Sequence, residues 1–370
     1  MPNGEKKKCQ SQVKLLGIIL DEQLTFRNHI ANALAKANGA SGIIARLGGV
    51  KKGMTGMAVR SMFLACVRPI FEYGFEVWNF AVQAKDRDKF RSIQSNCLRR
   101  ALGAVRTSPF EVLEIEAAVP PVHLRLEYLA VMKSIRLKYG LSNHNPVREL
   151  SNVTDEKSPI GYNMKRLCDP EFQKMERLPP GKPPWLTDRD NRLYDRKWQS
   201  FWLMTRKVKK NVVEALLEEW QRQYDSGERG KHEWYRNITP DAQVSLTVPK
   251  LITKQVLRNE PRRILSIITQ LRTGHGSNKE WFERFNISQD SLECECGDLK
   301  TIRHILTECI YFDDIRHELK LASPALNLSV LVNTKQGLQA IASFCKLRDE
   351  HFRHSHTIVK LFWRRLLKPL

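Results

Sequence analysis

Apolar side chains recur mostly at every third or fourth position of this chain, which is typical of helices with one buried face. Four such sets follow an alanine-rich stretch at 27–47: Val59, Phe63, Cys66 and Ile70; Phe90, Ile93, Cys97, Leu98 and Ala101; Val213, Leu216, Leu217, Trp220 and Tyr224; and Ile264, Ile267, Ile268 and Leu271. Glycines come after three of these sets, at Gly103, Gly227 and Gly274, where helices commonly end. The pattern predicts a mainly α fold with minor strands.

Prolines and one short apolar run complete the outline of predicted elements. Pro120-Pro121 precedes a predicted helix that runs to Tyr139, and Pro261 opens another. Residues 13–20 are apolar, become β-branched and stop at Asp21, so they indicate a strand or half of a hairpin. Because a strand needs neighbours to pair with, we expect the rest of its sheet to lie upstream of this sequence.

Two stretches depart from the helical period. Residues 141–185 gather Asn, Ser and Pro, including a Pro-rich run at 179–184, and predict a linker. Ile358 to Leu367 form an apolar and basic amphipathic segment. Packing against the rest of the chain is the favoured interpretation of this segment, and binding to a membrane surface is the alternative. No internal repeat of fixed period is visible.

The charge balance narrows the class of partner. Lys and Arg number 61 against 40 Asp and Glu, which leaves a net charge of +21 and a pI near 9.7. Nucleic acid, an acidic membrane face and an acidic protein all fit such a charge, and phosphate backbones come first among them. With 370 residues, 42% of them hydrophobic, the chain is expected to fold into two or three domains.

Cysteine spacing points to a reducing compartment. Five of the eight cysteines stand alone along the sequence: Cys9, Cys66, Cys97, Cys168 and Cys345. This is not the framework of a small disulfide-stapled secreted domain. The basic N-terminus is followed by no apolar run of signal-peptide length, and no stretch approaches the length of a membrane span. We therefore expect an intracellular protein, nuclear and/or cytoplasmic, with no membrane partner.

The other three cysteines form a cluster with a histidine. Cys294, Cys296, His304 and Cys309 give the pattern C-x-C-x7-H-x4-C within sixteen residues. Thiolate and imidazole are ligands that zinc prefers, and four of them without a further donor group indicate a closed, structural site. Gly297 can adopt the positive φ that such a turn needs. Two alternatives stay open: unrelated buried thiols, or a C-x-C redox pair.

A motif directly after the cluster spells a polymerase signature in an unsuitable context. Tyr311-Phe312-Asp313-Asp314 is Y-x-D-D, in which paired carboxylates hold magnesium for phosphoryl transfer. That chemistry needs a hairpin between apolar strands, whereas residues 315–320 predict a helix. The helix carrying His304 should likewise end before Cys309. Thr154-Asp155-Glu156 lies in the predicted linker and lacks the sheet that a ribonuclease H centre requires.

Segments taken in order along the chain resemble LINE-type, non-LTR retrotransposon reverse transcriptases. The resemblance runs from the family's palm-to-thumb junction, where the strand forms the primer-grip hairpin, through its thumb to its C-terminal region. The segments that carry it are residues 14–21, 24–26 and 29–30, then 73–78, 98–104, 106–109, 113–116 and 120–121, then 219–221 with Gly230, 271–276 and the Cys-Cys-His-Cys cluster. The resemblance also implies zinc as the cofactor, and it places Tyr311 to Arg316 in a helix.

The resemblance implies a division of the chain into six parts. These are a remnant of the palm and primer-grip strand at 1–25, a thumb-like helical region at 26–140, a Pro/Asn/Ser-rich linker at 141–198, a helical region at 199–290, a zinc knuckle at 291–320 and C-terminal helices at 321–370. The family's catalytic carboxylates should lie before residue 13, where there is no room for them. We therefore expect a truncated element or a partial gene product.

Three functions fit these observations. The first is a binding module without its own polymerase centre, and so not an enzyme, which grips RNA template or target DNA and works with the upstream polymerase domains of the same element. The second is RNA-directed DNA polymerase activity as part of the full polyprotein. The third is a domesticated interaction protein whose zinc only holds a fold. Candidate phosphate contacts are Lys51, Lys52, Arg99, Arg100, Lys209, Lys210, Arg262 and Arg263.

Overall fold

The computed structural model describes residues 10–49, 53–139, 206, 209–227, 232–247, 261–276, 293–294, 296–299 and 301–354. The predicted linker and the segment Ile358 to Leu367 lie outside these residues. Contacts divide the chain into two compact units, one of residues 1–38, 68–91 and 121–220 and one of residues 39–67, 92–120 and 221–370. The six-part division drawn from the resemblance stays a prediction.

The described residues are mainly helical, with one small sheet, which confirms the predicted fold class. The strands are β1 (Gln12–Leu15) and β2 (Ile18–Asp21). The helices are α1 (Arg27–Leu47), α2 (Gly56–Met62), α3 (Arg68–Glu72), α4 (Phe75–Trp78), α5 (Ala84–Leu102), α6 (Phe110–Ala117), α7 (Val122–Tyr139), α8 (209–225), α9 (Glu233–Ile238), α10 (Arg262–Thr273), α11 (Ile302–Thr307), α12 (His317–Ala322), α13 (Leu328–Asn333) and α14 (Lys335–His354). None of the described helices is long and apolar enough to cross a membrane.

The apolar run at 13–20 forms both strands of a hairpin rather than one strand. β1 pairs antiparallel with β2, with Leu15 opposite Ile18. Leu16 and Gly17 make the two-residue turn, and both have positive φ, at 47° and 88°. A tight hairpin favours positive φ at both turn positions because that twist matches the twist of the strands. Leucine is unusual at such a position, which explains why the sequence pattern does not reveal the turn.

Aromatic side chains fill the core of the first unit. Phe75 and Phe90 pack against Trp78, which is fully buried, and Phe71 packs against Phe90, with ring centroids 5.0 to 6.3 Å apart. Tyr73 donates a hydrogen bond of 2.7 Å from its hydroxyl to the carbonyl oxygen of Leu16, at the tip of the hairpin. The segments that resemble the palm-to-thumb junction and the first thumb motif are therefore in direct contact.

His29 connects the same hairpin to the aromatic core. Its Nδ1 accepts a hydrogen bond of 3.3 Å from the backbone N–H of Ile19, and its ring lies 5.4 Å from that of Trp78. Burial, and next the charge of Lys36, lower the pKa of His29. A neutral imidazole is the form that can accept this hydrogen bond, so the lowered pKa and the geometry agree.

Helix α10 lies at the centre of the second unit and is buried on nearly every side. The apolar face predicted for it is present, but its other face is buried as well. Ser266 donates to the carbonyl oxygen of Gly103 at 2.6 Å, and Thr269 donates to that of Leu102 at 2.7 Å. Gly103 has φ of +68°, and a Cβ there would lie 3.1 Å from the Cα of Ser266. A glycine thus ends α5 and lets α10 approach closely.

Candidate metal centre and basic residues

A tight turn presents the first two cysteines of the cluster. The backbone N–H of Cys294 donates to the carbonyl oxygen of Asp298 at 2.7 Å, and the N–H of Gly297 donates back to Cys294 at 2.9 Å. Gly297 has φ of +91°, the left-handed conformation that the sequence analysis predicts for it. Cys294 is buried and Cys296 is half-buried. Both thiols lie close to the side chains that helix α11 and the residues after it present.

Helix α11 presents the histidine. The hydroxyl of Thr301 accepts from the backbone N–H of His304 at 2.9 Å and so caps the start of the helix. The helix ends at Thr307, as predicted, and Cys309 follows it with its N–H donating to the carbonyl oxygen of His304 at 2.8 Å. This turn places the last cysteine beside the imidazole.

The four side chains converge on one point. Cys294 and Cys309 have their Sγ atoms 3.4 Å apart, and the Sγ of Cys309 is 3.9 Å from that of Cys296. The Sγ of Cys296 lies 3.1 Å from Nε2 of His304. All four ligand atoms lie within 4.8 Å of one another. Four thiolates around zinc at about 2.3 Å would be about 3.8 Å apart along each edge of a tetrahedron. The cluster therefore has the donor set and the approximate size for a tetrahedral metal ion.

The surroundings of the cluster also suit a cation. Nδ1 of His304, the ring nitrogen that faces away from the thiols, lies 3.7 Å from a carboxylate oxygen of Glu308 and 3.8 Å from one of Asp298. Both distances are too long for a hydrogen bond, and the two negative charges add to the attraction of the cluster for a cation. Burial, and next the neighbouring Cys294, raise the pKa of Cys309 to about 12. The metal-free thiol therefore stays protonated at neutral pH, and a bound divalent cation would have to displace its proton.

The Y-x-D-D motif lies in helical turns, as predicted from its context. Residues 310–312 and 314–316 form two turns of 3-10 helix that lead into α12. The carboxylate of Asp313 accepts from Nζ of Lys320 at 2.8 Å and from Nη1 of Arg316 at 3.2 Å. Lys320, and next Arg316, lower the pKa of Asp313. This carboxylate is held by two cations of its own chain.

The predicted phosphate contacts differ widely in exposure. Lys209 and Lys210 are exposed, with Lys210 at 3.5 Å from Glu214. Arg99 is half-buried, with its guanidinium 5.0 Å from the ring centroid of Phe110, and Arg100 is also half-buried. Lys51 and Lys52 lie outside the described residues. Whether any of these residues contacts nucleic acid stays a prediction.

Arg262, the seventh of these candidates, is buried. Its guanidinium donates to the carbonyl oxygens of Ala101 at 3.0 Å, Gly48 at 3.2 Å and Arg100. These hydrogen bonds satisfy carbonyl groups near the C-terminal end of α5 and, at Gly48, just after the end of α1. Arg263, the eighth candidate, is half-buried and donates to the carbonyl oxygen of Cys345 at 3.4 Å. Both arginines therefore donate hydrogen bonds to backbone carbonyls of the second unit, and the buried Arg262 is poorly placed to reach a phosphate.

The sequence analysis did not find a buried ionic network in the second unit. Arg272 donates to both carboxylate oxygens of Glu116, at 2.9 and 2.7 Å, and also to the carbonyl of Val332 and the side chain of Asn333. The hydroxyl of Tyr235 donates to the same carboxylate at 2.5 Å. Burial is the largest single influence and would by itself lower the pKa of Arg272, but the charges of Glu116 and Tyr235 and the hydrogen bonds to them together outweigh it, so the pKa is raised. The network joins α6, α9, α10 and α13.

These features define a class of protein: a mainly helical chain in which a turn, a short helix and the second residue after that helix present a Cys3His cluster that could hold a metal ion. No family model and no solved structure matches the chain. Three curated proteins do match, and all come from mobile elements.

Two of the three matches cover most of the chain. A 115 kDa protein in the type-1 retrotransposable element R1DM of Drosophila melanogaster is 24% identical over 82% of the chain, and a retrovirus-related Pol polyprotein from the type-1 element R1 of Bradysia coprophila is 22% identical over 85%. A probable RNA-directed DNA polymerase from transposon BS of Drosophila melanogaster is 31% identical over 28%. The chain spans about a quarter of the length of the first two relatives. The predicted resemblance to non-LTR retrotransposon proteins is confirmed.

Proposed function

We propose that this chain is a nucleic-acid-binding region of a non-LTR retrotransposon polyprotein, in which one zinc ion organises the second unit and exposed cations bind RNA template or target DNA. The observation that carries the proposal is the net charge of +21 on a chain that is similar to retrotransposon polyproteins over most of its length. Phosphate neutralisation by lysine and arginine releases condensed counterions and supplies sequence-independent affinity.

Zinc is the ion that the donor set favours. Three thiolates and one imidazole are soft ligands, whereas magnesium and calcium prefer oxygen ligands. Cys294, Cys296, His304 and Cys309 would occupy all four tetrahedral positions, so such an ion would stabilise the fold rather than activate a water molecule. Its binding would fix the turn at 293–299 against helix α11.

The start of α8 is the best candidate for phosphate contact among the described residues. Around this point the sequence has four cations within five residues, Arg206, Lys207, Lys209 and Lys210, of which Lys207 lies outside the described residues. Arg206, Lys209 and Lys210 are exposed, and the side chain of Lys210 is 75% exposed. The weak ion pair of Lys210 with Glu214 is solvent-exposed and easily exchanged for a phosphate. Exposed cations on a helix suit contacts to a nucleic-acid backbone, which carries no sequence information.

A salt titration tests the proposal. Binding of the purified, zinc-loaded chain to duplex DNA and to RNA is measured by fluorescence anisotropy between 50 and 200 mM salt. If about five phosphates are engaged, the affinity for duplex DNA should fall with a log-log slope near −4 to −5. The double variant Lys209→Glu/Lys210→Glu should flatten that slope by about two. No binding to either nucleic acid at low salt would overturn the proposal.

A matched charge reversal separates a local contact from the effect of net charge. Lys85 and Lys89 are exposed lysines on α5, and reversing both removes the same charge as reversing Lys209 and Lys210. The Lys85→Glu/Lys89→Glu variant should keep the slope within about one of the wild-type value. An equal flattening by both pairs would mean that α8 has no special role.

We also propose that the chain has no polymerase centre of its own. Asp313, the first carboxylate of the Y-x-D-D motif, is held by Arg316 and Lys320 and lies between two 3-10 turns rather than in a strand hairpin. A primer-extension assay with magnesium should therefore give no incorporation. Template-dependent extension that is abolished by Asp313→Ala would contradict this part of the proposal.

A further inference from the structure

Arg316 is a buried cation that lies directly behind the metal cluster. Its side chain is only 3% exposed. Nε donates to the carbonyl oxygen of Leu306 at 2.9 Å, and Nη2 donates to that of Ile305 at 3.2 Å and to that of Cys309. Nη1 donates to the carboxylate of Asp313 at 3.2 Å. One guanidinium thus reaches the end of α11, a cluster cysteine and the Y-x-D-D motif.

Two of the three carbonyl groups need a donor from outside their own helix, and the third, that of Cys309, also accepts from the backbone N–H of Phe312 at 3.2 Å. Leu306 and Ile305 belong to the last turn of α11, where carbonyl oxygens have no partner within the helix. Cys309 contributes both its thiol to the cluster and its carbonyl to Arg316. A positive charge at this end of a helix also interacts favourably with the helix dipole. The planar fork of arginine can serve several acceptors at once, which the single ammonium group of lysine does less well.

Helix α11 depends on such support. It has only six residues, and helices of this length are unstable by themselves in water. It nevertheless carries His304 and leads to Cys309, which together are half of the ligand set. Thr301 caps its start, so Arg316 and Thr301 fix its two ends.

We infer that Arg316 is a positioning residue of the metal centre: it holds His304 and Cys309 in the tetrahedral arrangement, and Asp313 orients it. The inference rests on the proposed metal site. It also gives the first aspartate of the Y-x-D-D motif a structural role. Asp313 fixes the guanidinium that supports the ligands, and Lys320 shares the charge of that carboxylate at 2.8 Å.

The test uses Co²⁺ bound to the full chain in place of zinc. Its absorption spectrum reports the geometry of the ligands, and competition with a chelator gives the affinity. Loss of a group that orients the ligands of a metal typically weakens binding 10- to 100-fold. Arg316→Met should lower the Co²⁺ affinity by about that factor and change the spectrum. Arg316→Lys keeps the positive charge but makes fewer hydrogen bonds, so its Co²⁺ affinity should lie between those of Arg316→Met and the wild type. Asp313→Asn should have a smaller effect of the same sign.

Arg303 offers a matched control on the same helix. Its side chain is 46% exposed and pairs with Glu308 at 3.2 Å. Arg303→Met removes one positive charge near the cluster, as Arg316→Met does, but it leaves in place the hydrogen bonds that Arg316 donates to the carbonyl groups. It should leave both the Co²⁺ spectrum and the affinity unchanged within a factor of about three.

The outcomes separate the two proposals. If the wild type binds no Co²⁺ or zinc, the metal site itself fails and the inference fails with it. If the wild type binds metal and Arg316→Met shows the wild-type spectrum and affinity, only the positioning role is overturned. If Arg316→Met does not fold, Arg316→Lys decides, and an unchanged spectrum and affinity there contradict the inference. An Arg316 variant that is less stable to heat but binds Co²⁺ with the wild-type spectrum and affinity also contradicts the positioning role.

Discussion

Two buried polar clusters in the second unit are organised in different ways. Around Glu116, the chain supplies both signs of charge: Arg272 donates to both carboxylate oxygens, and Tyr235 adds a third hydrogen bond. Around Cys309, the chain brings three thiols and an imidazole within 4.8 Å of one another. The first cluster contains its own cation, whereas the second contains four groups that a cation would bind.

The difference shows how each cluster can contribute to stability. A buried carboxylate is tolerated when a guanidinium and further donors satisfy its lone pairs. Thiols at the distances seen here gain little from one another, and bound metal converts them into strongly held ligands. We therefore expect the network of Glu116 to be complete in the polypeptide alone, and the cluster of Cys309 to reach full stability only with metal.

The largest expected effect is that of removing the metal. Zinc binding to a structural site contributes on the order of 10 kcal/mol at neutral pH. A chelator should therefore unfold residues 293–294 and 296–299 and helix α11 locally, and amide hydrogen exchange there should accelerate by orders of magnitude. Amides of α10, which is held by the Glu116 network, should be affected far less. Equal loss of protection in both places would contradict the comparison.

The next effect in size is that of breaking the ionic network. Arg272→Met leaves Glu116 buried without its cation, and such a change typically costs about 3–5 kcal/mol in the free energy of unfolding. Chemical denaturation of the zinc-loaded chain measures it. The double variant Arg272→Met/Glu116→Leu removes both charges and should be less destabilised than the single variant. A single variant within about 1 kcal/mol of the wild type would show that the network is not needed.

The pH dependence of stability should reverse with metal. In the metal-free protein, burial raises the pKa of Cys309 from 9.0 to about 12. The stability that this protonated thiol contributes is constant below pH 9 and is lost as the pH rises toward 12. In the metal-loaded protein, protons compete for the thiolates, so stability is lost as the pH falls. Thermal unfolding across pH with and without chelator measures both profiles, and identical profiles would argue against metal at this cluster.

The smallest effect concerns the surface beside the cluster. Arg303 and Glu308 form an ion pair of 3.2 Å, with side chains 46% and 50% exposed. Exposed pairs contribute at most about 1 kcal/mol. Arg303→Met should therefore change the midpoint of thermal unfolding by no more than a few degrees. A loss as large as that of Arg272→Met would mean that the surface of α11 is far more constrained than its exposure indicates.

The helices with one apolar face were predictable from sequence. The periodic sets at α5, α8 and α10 and the alanine-rich stretch at α1 all form helices. Helix α6 was not predicted as a helix, because its buried face includes Glu114 and Glu116. A sequence pattern treats glutamate as exposed, and the partner that permits burial, Arg272, is 156 residues away. Tertiary pairing of this kind leaves no local signal.

The candidate site shows the same limit. Cys294, Cys296, His304 and Cys309 could be grouped from their types and spacing alone, and the structure brings them together. Arg316 could not be recognised in this way, because a single arginine beside two aspartates predicts an exposed charge. Arg262 shows a related limit. A doublet of arginines at a helix start resembles a phosphate contact, but its first member is buried against backbone carbonyls.

Zinc content is the measurement that tests the account most directly. The chain is purified without added metal and without chelator, and zinc is quantified per chain by mass spectrometry beside two variants. The account predicts one zinc in the wild type, one in Cys66→Ser, whose thiol is exposed and outside the cluster, and much less than one in Cys309→Ser. A wild type without zinc that takes up none on addition, or a Cys309→Ser protein that retains a full equivalent, would contradict it.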